Sequence, residues 1–122
     1  MLNLNSLMFG SEQPKVLTEF YKKVVGKDPD MVDGDWSGFM CGSCFFSIGA
    51  HDKIHGKAKE PERVILNFET TEVQKEFDRI KALGATVIKE PYNPDPKDTS
   101  IMIATLADPD GNFFQLMTPW KE

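Results

Sequence analysis

The sequence predicts an α+β protein built from two tandem βαβββ modules. An apolar stripe at helical spacing that ends at a glycine occurs twice, because EFYKKVVG at 19–26 parallels EFDRIKALG at 76–84. The segment FFSI at 45–48 likewise parallels FFQL at 113–116. Internal similarity in the same order indicates a duplicated structural unit. We expect one domain over residues 1–122, with module one at about 1–55 and module two at about 60–122.

Module one shows the order strand, helix, strands. A short apolar segment at about 3–9 predicts the first strand, and Ser11 to Pro14 supplies the polar residues and proline typical of a helix start. From residue 16 to 25, pairs of apolar residues recur every four positions, which predicts a helix with one buried stripe. After an Asp- and Pro-rich segment, residues without helical period predict strands at about 36–40 and 43–49.

Module two follows a polar connection at 51–62 and opens with an apolar strand at about 64–68. Thr71 and Gln74 form a capping-box pattern at the start of the next helix. Its buried stripe is predicted at Val73, Phe77, Ile80 and Leu83, before Gly84.

Three further strands are predicted in module two, at about 85–89, 101–107 and 112–117. The Pro-rich segment 91–100 is read as a loop, and it makes module two about eleven residues longer than module one. Asp108-Pro109-Asp110-Gly111 is a turn sequence, because proline fixes φ and glycine accepts a positive φ.

Composition narrows the function classes. The chain has 40% hydrophobic and 27% charged residues, which is ordinary for a protein with a packed core. A net charge of -5 argues against nucleic acid as a partner, since phosphate backbones require a basic surface. The N-terminus has no signal-peptide pattern, and apolar runs are too short to span a membrane. We therefore expect a cytoplasmic protein without membrane partners.

Three segments together resemble one known superfamily. ADPDGNFFQLMTP at 107–119 is the strongest match, beside EFYKKVVG at 19–26 and RIKALGATVIKEP at 79–91. On these residues the chain resembles the vicinal oxygen chelate superfamily, which includes glyoxalase I, extradiol dioxygenases, fosfomycin-resistance enzymes and bleomycin-binding proteins. The resemblance implies that the modules form an open, curved, barrel-like sheet with a concave cleft. It also implies a homodimer as the expected assembly.

Metal enzymes of this superfamily place one His or Glu on the first and last strand of each module. Carried over residue by residue, the last-strand positions fall on Ser47 and Gln115. The first-strand positions fall on Asn5 or Ser6 in module one, and on Arg63 or Ile65 in module two. None of these is a carboxylate or an imidazole, which divalent cations of this class favour. We expect no metal site and no cofactor, although these residues do not exclude a divalent metal.

Two residues are candidates for proton transfer. Glu69 alternates with Asn67 and Ile65, so that all three share one face of the predicted strand. Glu69 could equally flank the N-terminus of the next helix. His51 follows a strand closely enough to reach the rim of the cleft as a general base, against the alternative of a loop-bracing histidine.

The remaining candidates are side chains suited to holding a ligand. Asn5, Ser47, Asn67 and Gln115 offer polar contacts, whereas Trp36, Phe39 and Met102 offer aromatic or thioether surface, with ordinary core packing as the alternative. Tyr92 is predicted on a loop over the cleft mouth. Arg63 could receive an anionic group or pair with Glu60 or Glu62.

Cys41-Gly-Ser-Cys44 has the CxxC spacing of redox pairs. It lies between predicted strands, so ordinary packing of the two cysteines is the alternative to a redox or metal role.

The leading hypothesis is a protein that binds a small, partly apolar molecule without the usual metal site. One alternative is a glyoxalase-like lyase or isomerase that uses Glu69 or His51 for proton transfer, with Gln115 orienting an oxygen. A further alternative is an interaction module that assembles as a dimer.

Overall fold

The structure is a computed structural model, and it describes residues 1–120. The chain divides into two compact units, Met1–Gly56 and a second that begins at Lys57. Each unit is a βαβββ module with a four-stranded sheet. The predicted α+β class and the tandem duplication are therefore confirmed.

Module one contains one helix and four strands. The elements are β1 (Ser6–Ser11), α1 (Pro14–Val25), β2 (Met31–Asp33), β3 (Trp36–Cys41) and β4 (Cys44–Ala50). The sheet order is β1-β4-β3-β2, with β1 parallel to β4 and the other neighbours antiparallel. Pro14 stands in the first turn of α1, where its missing N–H costs nothing, and the Ser11 hydroxyl accepts a hydrogen bond from the Gln13 amide (3.0 Å).

Helix α1 covers one face of this sheet. Leu17, Tyr21 and Val24 are buried on the helix, at the spacing of one stripe. Tyr21 stacks on Phe9 at 6.0 Å and meets Phe46 edge to face at 5.7 Å between ring centroids. These aromatic contacts fix which face of the strands is the core face.

Module two repeats this arrangement. Its elements are β5 (Leu66–Glu69), α2 (Val73–Ala82), β6 (Thr86–Tyr92), β7 (Ile103–Ala107) and β8 (Phe113–Met117). The sheet order is β5-β8-β7-β6, and β5 is parallel to β8. The core is formed by apolar side chains of α2 and of the sheet face that it covers: Val73, Phe77, Ile80, Leu106, Phe114 and Leu116.

The β7–β8 turn is the segment Asp108–Gly111. A carboxylate oxygen of the buried Asp108 accepts hydrogen bonds from the backbone amides of Asp110 (2.9 Å) and Asn112 (3.0 Å). Gly111 has φ +81°, which residues with a Cβ rarely adopt. The turn predicted from the sequence is confirmed.

Several local predictions differ from the structure, and one concerns the buried stripe of α2: Leu83 is 41% exposed and lies just past the end of the helix at Ala82. No strand is predicted at residues 31–33, but β2 forms there; all three of its side chains are exposed, so no apolar alternation marks it. Strand β6 extends to Tyr92, which therefore belongs to a strand and not to the loop predicted at 91–100. The connection that lengthens module two is residues 93–102.

The capping box at Thr71 and Gln74 is absent. Helix α2 starts one residue later than that pattern requires, so Glu72 is the N-cap and makes no side-chain capping bond. The hydroxyl of Thr70 instead accepts a hydrogen bond from the Glu72 amide (3.0 Å). Within residues 1–120, no helix is both long enough and apolar enough to span a membrane.

Candidate functional site

The sheet face of module one that lies opposite α1 carries an aromatic pair. Trp36 and Phe45 lie on this helix-distal face, on neighbouring strands, with ring centroids 6.3 Å apart. A side chain at Gly38 would collide with both, because a Cβ there would lie 2.3 Å from Phe45 Cζ and 3.0 Å from a ring carbon of Trp36. A Cβ at Gly49 would lie 3.1 Å from Trp36 Cδ1. The two rings thus rest on glycines, and we call this arrangement the aromatic platform.

Met8 and Ser47 extend the platform across the parallel strand pair. They are directly paired in the β1–β4 register, and Ser47 is also paired with Gly38 in β3. The Met8 methyl group approaches the Gly49 position at 3.5 Å. Met8 is exposed, whereas Ser47 is buried. The surface offered here is therefore mainly aromatic and thioether.

His51 lies next to this face. A Cβ at Gly10, the next helix-distal position after Met8, would lie 3.1 Å from His51 Cβ. The Nδ1 atom of His51 accepts a hydrogen bond from the Lys53 amide (3.1 Å). Because Nδ1 accepts, neutral His51 carries its proton on Nε2 and presents a donor there. A general-base role for Nε2 would require this hydrogen bond to break.

The helix-distal face of module two carries polar side chains at its centre, flanked by the apolar Phe113, Met117 and Ile103. Gln115 and Asn67 are paired across the parallel β5–β8 strands, and Gln115 is paired with Thr105 in β7. The Gln115 Nε2 donates a hydrogen bond to the hydroxyl of Thr105 (3.2 Å), which fixes the orientation of the amide. Two amides thus stand side by side on one face.

Glu69 lies on the same face as Asn67, two residues further along β5, and it is exposed. Across the sheet, Lys89 is paired with Thr105 and places its ammonium 4.9 Å from the ring centroid of Tyr92. This is the geometry of a cation–π contact. Module two therefore presents amides, a carboxylate and an ammonium.

Other predicted ligand residues lie elsewhere. Phe39 is fully buried and stacks on Phe46 at 5.1 Å, so it belongs to the core beneath α1. Arg63 lies before β5 and donates a hydrogen bond from Nε to Glu60 (3.0 Å), so its guanidinium is paired with a carboxylate three residues earlier in the sequence. Met102 lies in the 93–102 connection, where its amide binds the Thr118 hydroxyl (2.9 Å). Asn5 precedes β1, and its carbonyl accepts from the Phe45 amide (3.2 Å).

The superfamily implies a divalent metal, and the paired positions of each module test the fit. Module one pairs Met8 with Ser47, and module two pairs Asn67 with Gln115. A thioether, a hydroxyl and two amides are poor donors for a divalent cation of this class. Among residues 1–120, no three His, Cys, Asp or Glu side chains are grouped so that they could hold a metal ion.

A separate groove of about 420 Å³ lies between α1 and the β2–β3 hairpin. Thr18, on α1, and Ser37, on β3, are buried residues that line it. Two lysines at its edge make exposed ion pairs, Lys15 with Asp35 (3.6 Å) and Lys22 with Asp28 (3.1 Å). Ion pairs this exposed contribute little to stability.

Sequence reasoning missed Phe45, Met8, Thr105 and Lys89. Strand alternation was a usable signal for Phe45, because it places Phe45 with Ser47 and separates both from Phe46. The same rule separates Trp36 from Phe39, which are three residues apart on one strand. Thr105 and Lys89 required the strand register, which the sequence does not contain.

Two βαβββ modules, each with its helix on one sheet face and its candidate ligand groups on the other, define a glyoxalase/bleomycin-resistance type of α+β protein. A family model described as a glyoxalase-like domain matches residues 6–117. The chain belongs to this glyoxalase-like family, and so to the vicinal oxygen chelate superfamily.

Solved structures support the fold. One is a glyoxalase/bleomycin resistance protein/dioxygenase family enzyme from Burkholderia phytofirmans PsJN, with TM-score 0.76, 23% identity, and coverage of 96% of this chain and 98% of that one. Another is a glyoxalase-related enzyme from Fulvimarina pelagi, with TM-score 0.79, 15% identity, and 98% and 89% coverage. The fosfomycin resistance protein FosX from Mesorhizobium loti has TM-score 0.66, 15% identity, and 98% and 92% coverage. No curated protein matches the chain significantly.

Proposed function

We propose that this protein binds a small, partly apolar molecule on the aromatic platform of module one, without a resident divalent metal. The observation that carries the proposal is the seating of Trp36 and Phe45 on glycines, with a Cβ at Gly38 excluded at 2.3 Å. A flat aromatic or apolar part of the ligand would stack against these rings. Stacked aromatic pairs are worth about 1 kcal/mol beyond the area that they bury.

The packing explains why the platform suits a ligand. The rings lie against backbone, so little side-chain freedom is left to lose when a ligand binds. Met8 beside them is exposed and unbranched, and such side chains adapt to ligands of different outline. This combination of a fixed aromatic surface and an adaptable edge favours a planar, apolar group.

The names of similar proteins are consistent with binding as a function. One similar structure is named a glyoxalase/bleomycin resistance protein. Resistance through binding requires a ligand surface but no catalytic group. The platform supplies such a surface.

Calorimetric titration with two probes, 2-naphthol and bleomycin, tests the proposal. We expect at least one to bind with Kd below about 1 mM. Trp36→Ala should weaken the binding of that probe about tenfold, since one stacking ring and its buried area are lost. Trp120→Ala is the matched control, because Trp120 is 82% exposed and lies in module two. Equal binding by Trp36→Ala and the parent, or no binding of either probe, would refute the proposal.

A second candidate function is that of a lyase or isomerase, and the polar face of module two favours it. Gln115, held by Thr105, could orient a substrate oxygen, with Glu69 on the same face as the proton-transfer group. Because His51 Nδ1 accepts from the Lys53 amide, its Nε2–H is a hydrogen-bond donor that could hold a substrate oxygen, and Glu69 is the better proton-transfer candidate of the two.

A panel of 2-oxoaldehydes and epoxides tests catalysis. Glu69→Gln should lower turnover by about 100-fold or more, the usual size of a general acid–base contribution. Glu72→Gln is the control, because Glu72 is an exposed glutamate at the start of α2 that pairs with Lys75 at 3.6 Å. If Glu69→Gln and Glu72→Gln behave alike, Glu69 has no catalytic role.

A further inference from the structure

The two cysteines are brought together at the tip of the β3–β4 hairpin. Cys41 ends β3, Cys44 begins β4, and the two are direct partners in the antiparallel register. Residues directly opposite in an antiparallel pair point to the same face of the sheet. Neither cysteine is in a disulfide; Cys44 is exposed and donates a weak hydrogen bond from Sγ to the Phe45 carbonyl (3.7 Å), and Cys41 is half-buried. A small ion arriving from solvent can therefore reach both sulfur atoms.

The spacing of such a pair favours a bridging ion over a disulfide. Residues that flank a two-residue turn exchange backbone hydrogen bonds, and their Cα atoms lie about 5.5 Å apart. Their Cβ atoms are then about 4.5–5.5 Å apart. A disulfide has about 3.8 Å between Cβ atoms, so the hairpin would have to close by about 0.7–1.7 Å to form one. A metal ion with bonds of about 2.3 Å to each sulfur spans up to about 4.6 Å between them.

The number of donor atoms at this hairpin determines which metal ion it suits. Over residues 1–120, the cysteines are not part of any group of three or more His, Cys, Asp or Glu side chains that could hold a metal. Zinc takes four such ligands in structural sites, so two thiolates of one chain leave it under-coordinated. Soft thiolates favour monovalent copper, which can be coordinated by only two ligands in a near-linear arrangement.

Local charge is compatible with such a site. Two thiolates and one monovalent cation carry a net charge of −1. Burial raises the pKa of the Cys41 thiol, and the nearby Lys27 ammonium offsets this rise only in part. A bound cation displaces both thiol protons, which are released to solvent.

We propose that Cys41 and Cys44 form a two-thiolate site for a soft monovalent cation of the Cu(I) class, one ion per chain. The site is independent of the aromatic platform, since strand alternation places the thiols on the sheet face that carries Phe39 and Phe46. Its failure or success therefore leaves the proposed ligand binding untouched.

Anaerobic titration of the reduced protein with Cu(I), in competition with a chromophoric Cu(I) chelator, tests the site. We expect one Cu(I) per chain and a thiolate-to-copper absorption band in the ultraviolet. Cys41→Ser and Cys44→Ser should each weaken the apparent affinity about 100-fold or more, because a second donor on the same chain acts at high effective concentration. Ser43→Ala, in the same turn, should bind as the parent does.

Thermal unfolding of each serine variant checks that the fold is kept. Binding that survives both serine variants would overturn the proposal, as would failure of the parent to compete with the chelator. A stoichiometry of one ion per two chains, with dimerisation seen by sedimentation, would also overturn it, since the ion would then need sulfur atoms from two copies.

Discussion

The ring of Phe45 occupies the space that a side chain at Gly38 would need. The Phe45 Cζ atom lies 2.3 Å from the position of a Cβ on Gly38, far inside van der Waals contact. Trp36 approaches the same position at 3.0 Å. The position of both platform rings therefore depends on the absence of one methyl group.

Gly38→Ala should displace the platform. The backbone of Gly38 does not have a positive φ, so alanine fits the strand and the cost comes from the collision with Phe45 and Trp36. Overpacking of this kind costs about 1–3 kcal/mol in the free energy of unfolding. Denaturant unfolding measures the loss, and the fluorescence of Trp36, isolated by Trp120→Phe, reports the movement of the ring.

A double-mutant cycle with Phe45→Ala separates this collision from other effects of the alanine. The cost of Gly38→Ala should be smaller in the Phe45→Ala background, with a coupling of about 0.5 kcal/mol or more. Additive costs would show that the ring of Phe45 is not what excludes a side chain at Gly38.

Asp108 should matter more for stability than its place in a surface turn suggests. It is 4% exposed, and its carboxylate accepts from the backbone amides of Asp110 and Asn112 and from the Asn112 side chain (3.0 Å). Asp108→Ala leaves these donors unpaired and should lower the free energy of unfolding by about 2–3 kcal/mol. Asp95→Ala is the control, because Asp95 accepts from one amide, of Lys97, in an exposed loop (2.8 Å). Losses of similar size in the two variants would contradict the prediction.

The two thiols should differ in reactivity. Burial raises the pKa of the Cys41 thiol, so at neutral pH less of it is the reactive thiolate, whereas Cys44 is exposed. Iodoacetamide should therefore modify Cys44 first, as followed by peptide mass spectrometry. Because the pKa of the Cys41 thiol is raised, the rate at which iodoacetamide modifies Cys41 should keep rising at pH values above the pKa of an ordinary thiol. Faster modification of Cys41 at pH 7 would contradict this assignment.

Elements whose cause is local could be predicted from the sequence. The α1 stripe and the Asp108–Gly111 turn depend on residues a few positions apart, so periodicity and turn chemistry suffice. In each apolar pair of α1, which residue is buried depends on the sheet beneath: Tyr21 is fully buried, whereas Phe20 is only partly covered. Periodicity narrows that choice to two residues and no further.

The composition of each candidate site depended on register between strands. Asn67 and Gln115 are 48 positions apart in the sequence but directly paired in the parallel strands. No local pattern encodes this pairing, and a shift of one residue would turn every side chain to the other face. The proton position on His51 likewise depends on the Lys53 amide, a contact set by the shape of the loop.

Thr18 contains a hydroxyl whose removal should stabilise the protein. Thr18 is 9% exposed, and in the part of the chain from residue 1 to 120 its Oγ1 is buried without a hydrogen-bond partner. Valine has nearly the same shape and the same branched Cβ, so Thr18→Val removes the unpaired polar group and leaves the packing intact. The free energy of unfolding should then rise by about 1 kcal/mol, as measured by urea denaturation. Thr118→Val is the matched control, because the Thr118 hydroxyl accepts from the Met102 amide at 2.9 Å and its loss should destabilise. A stability loss in Thr18→Val equal to that in Thr118→Val would mean that the Thr18 hydroxyl has a partner in solution.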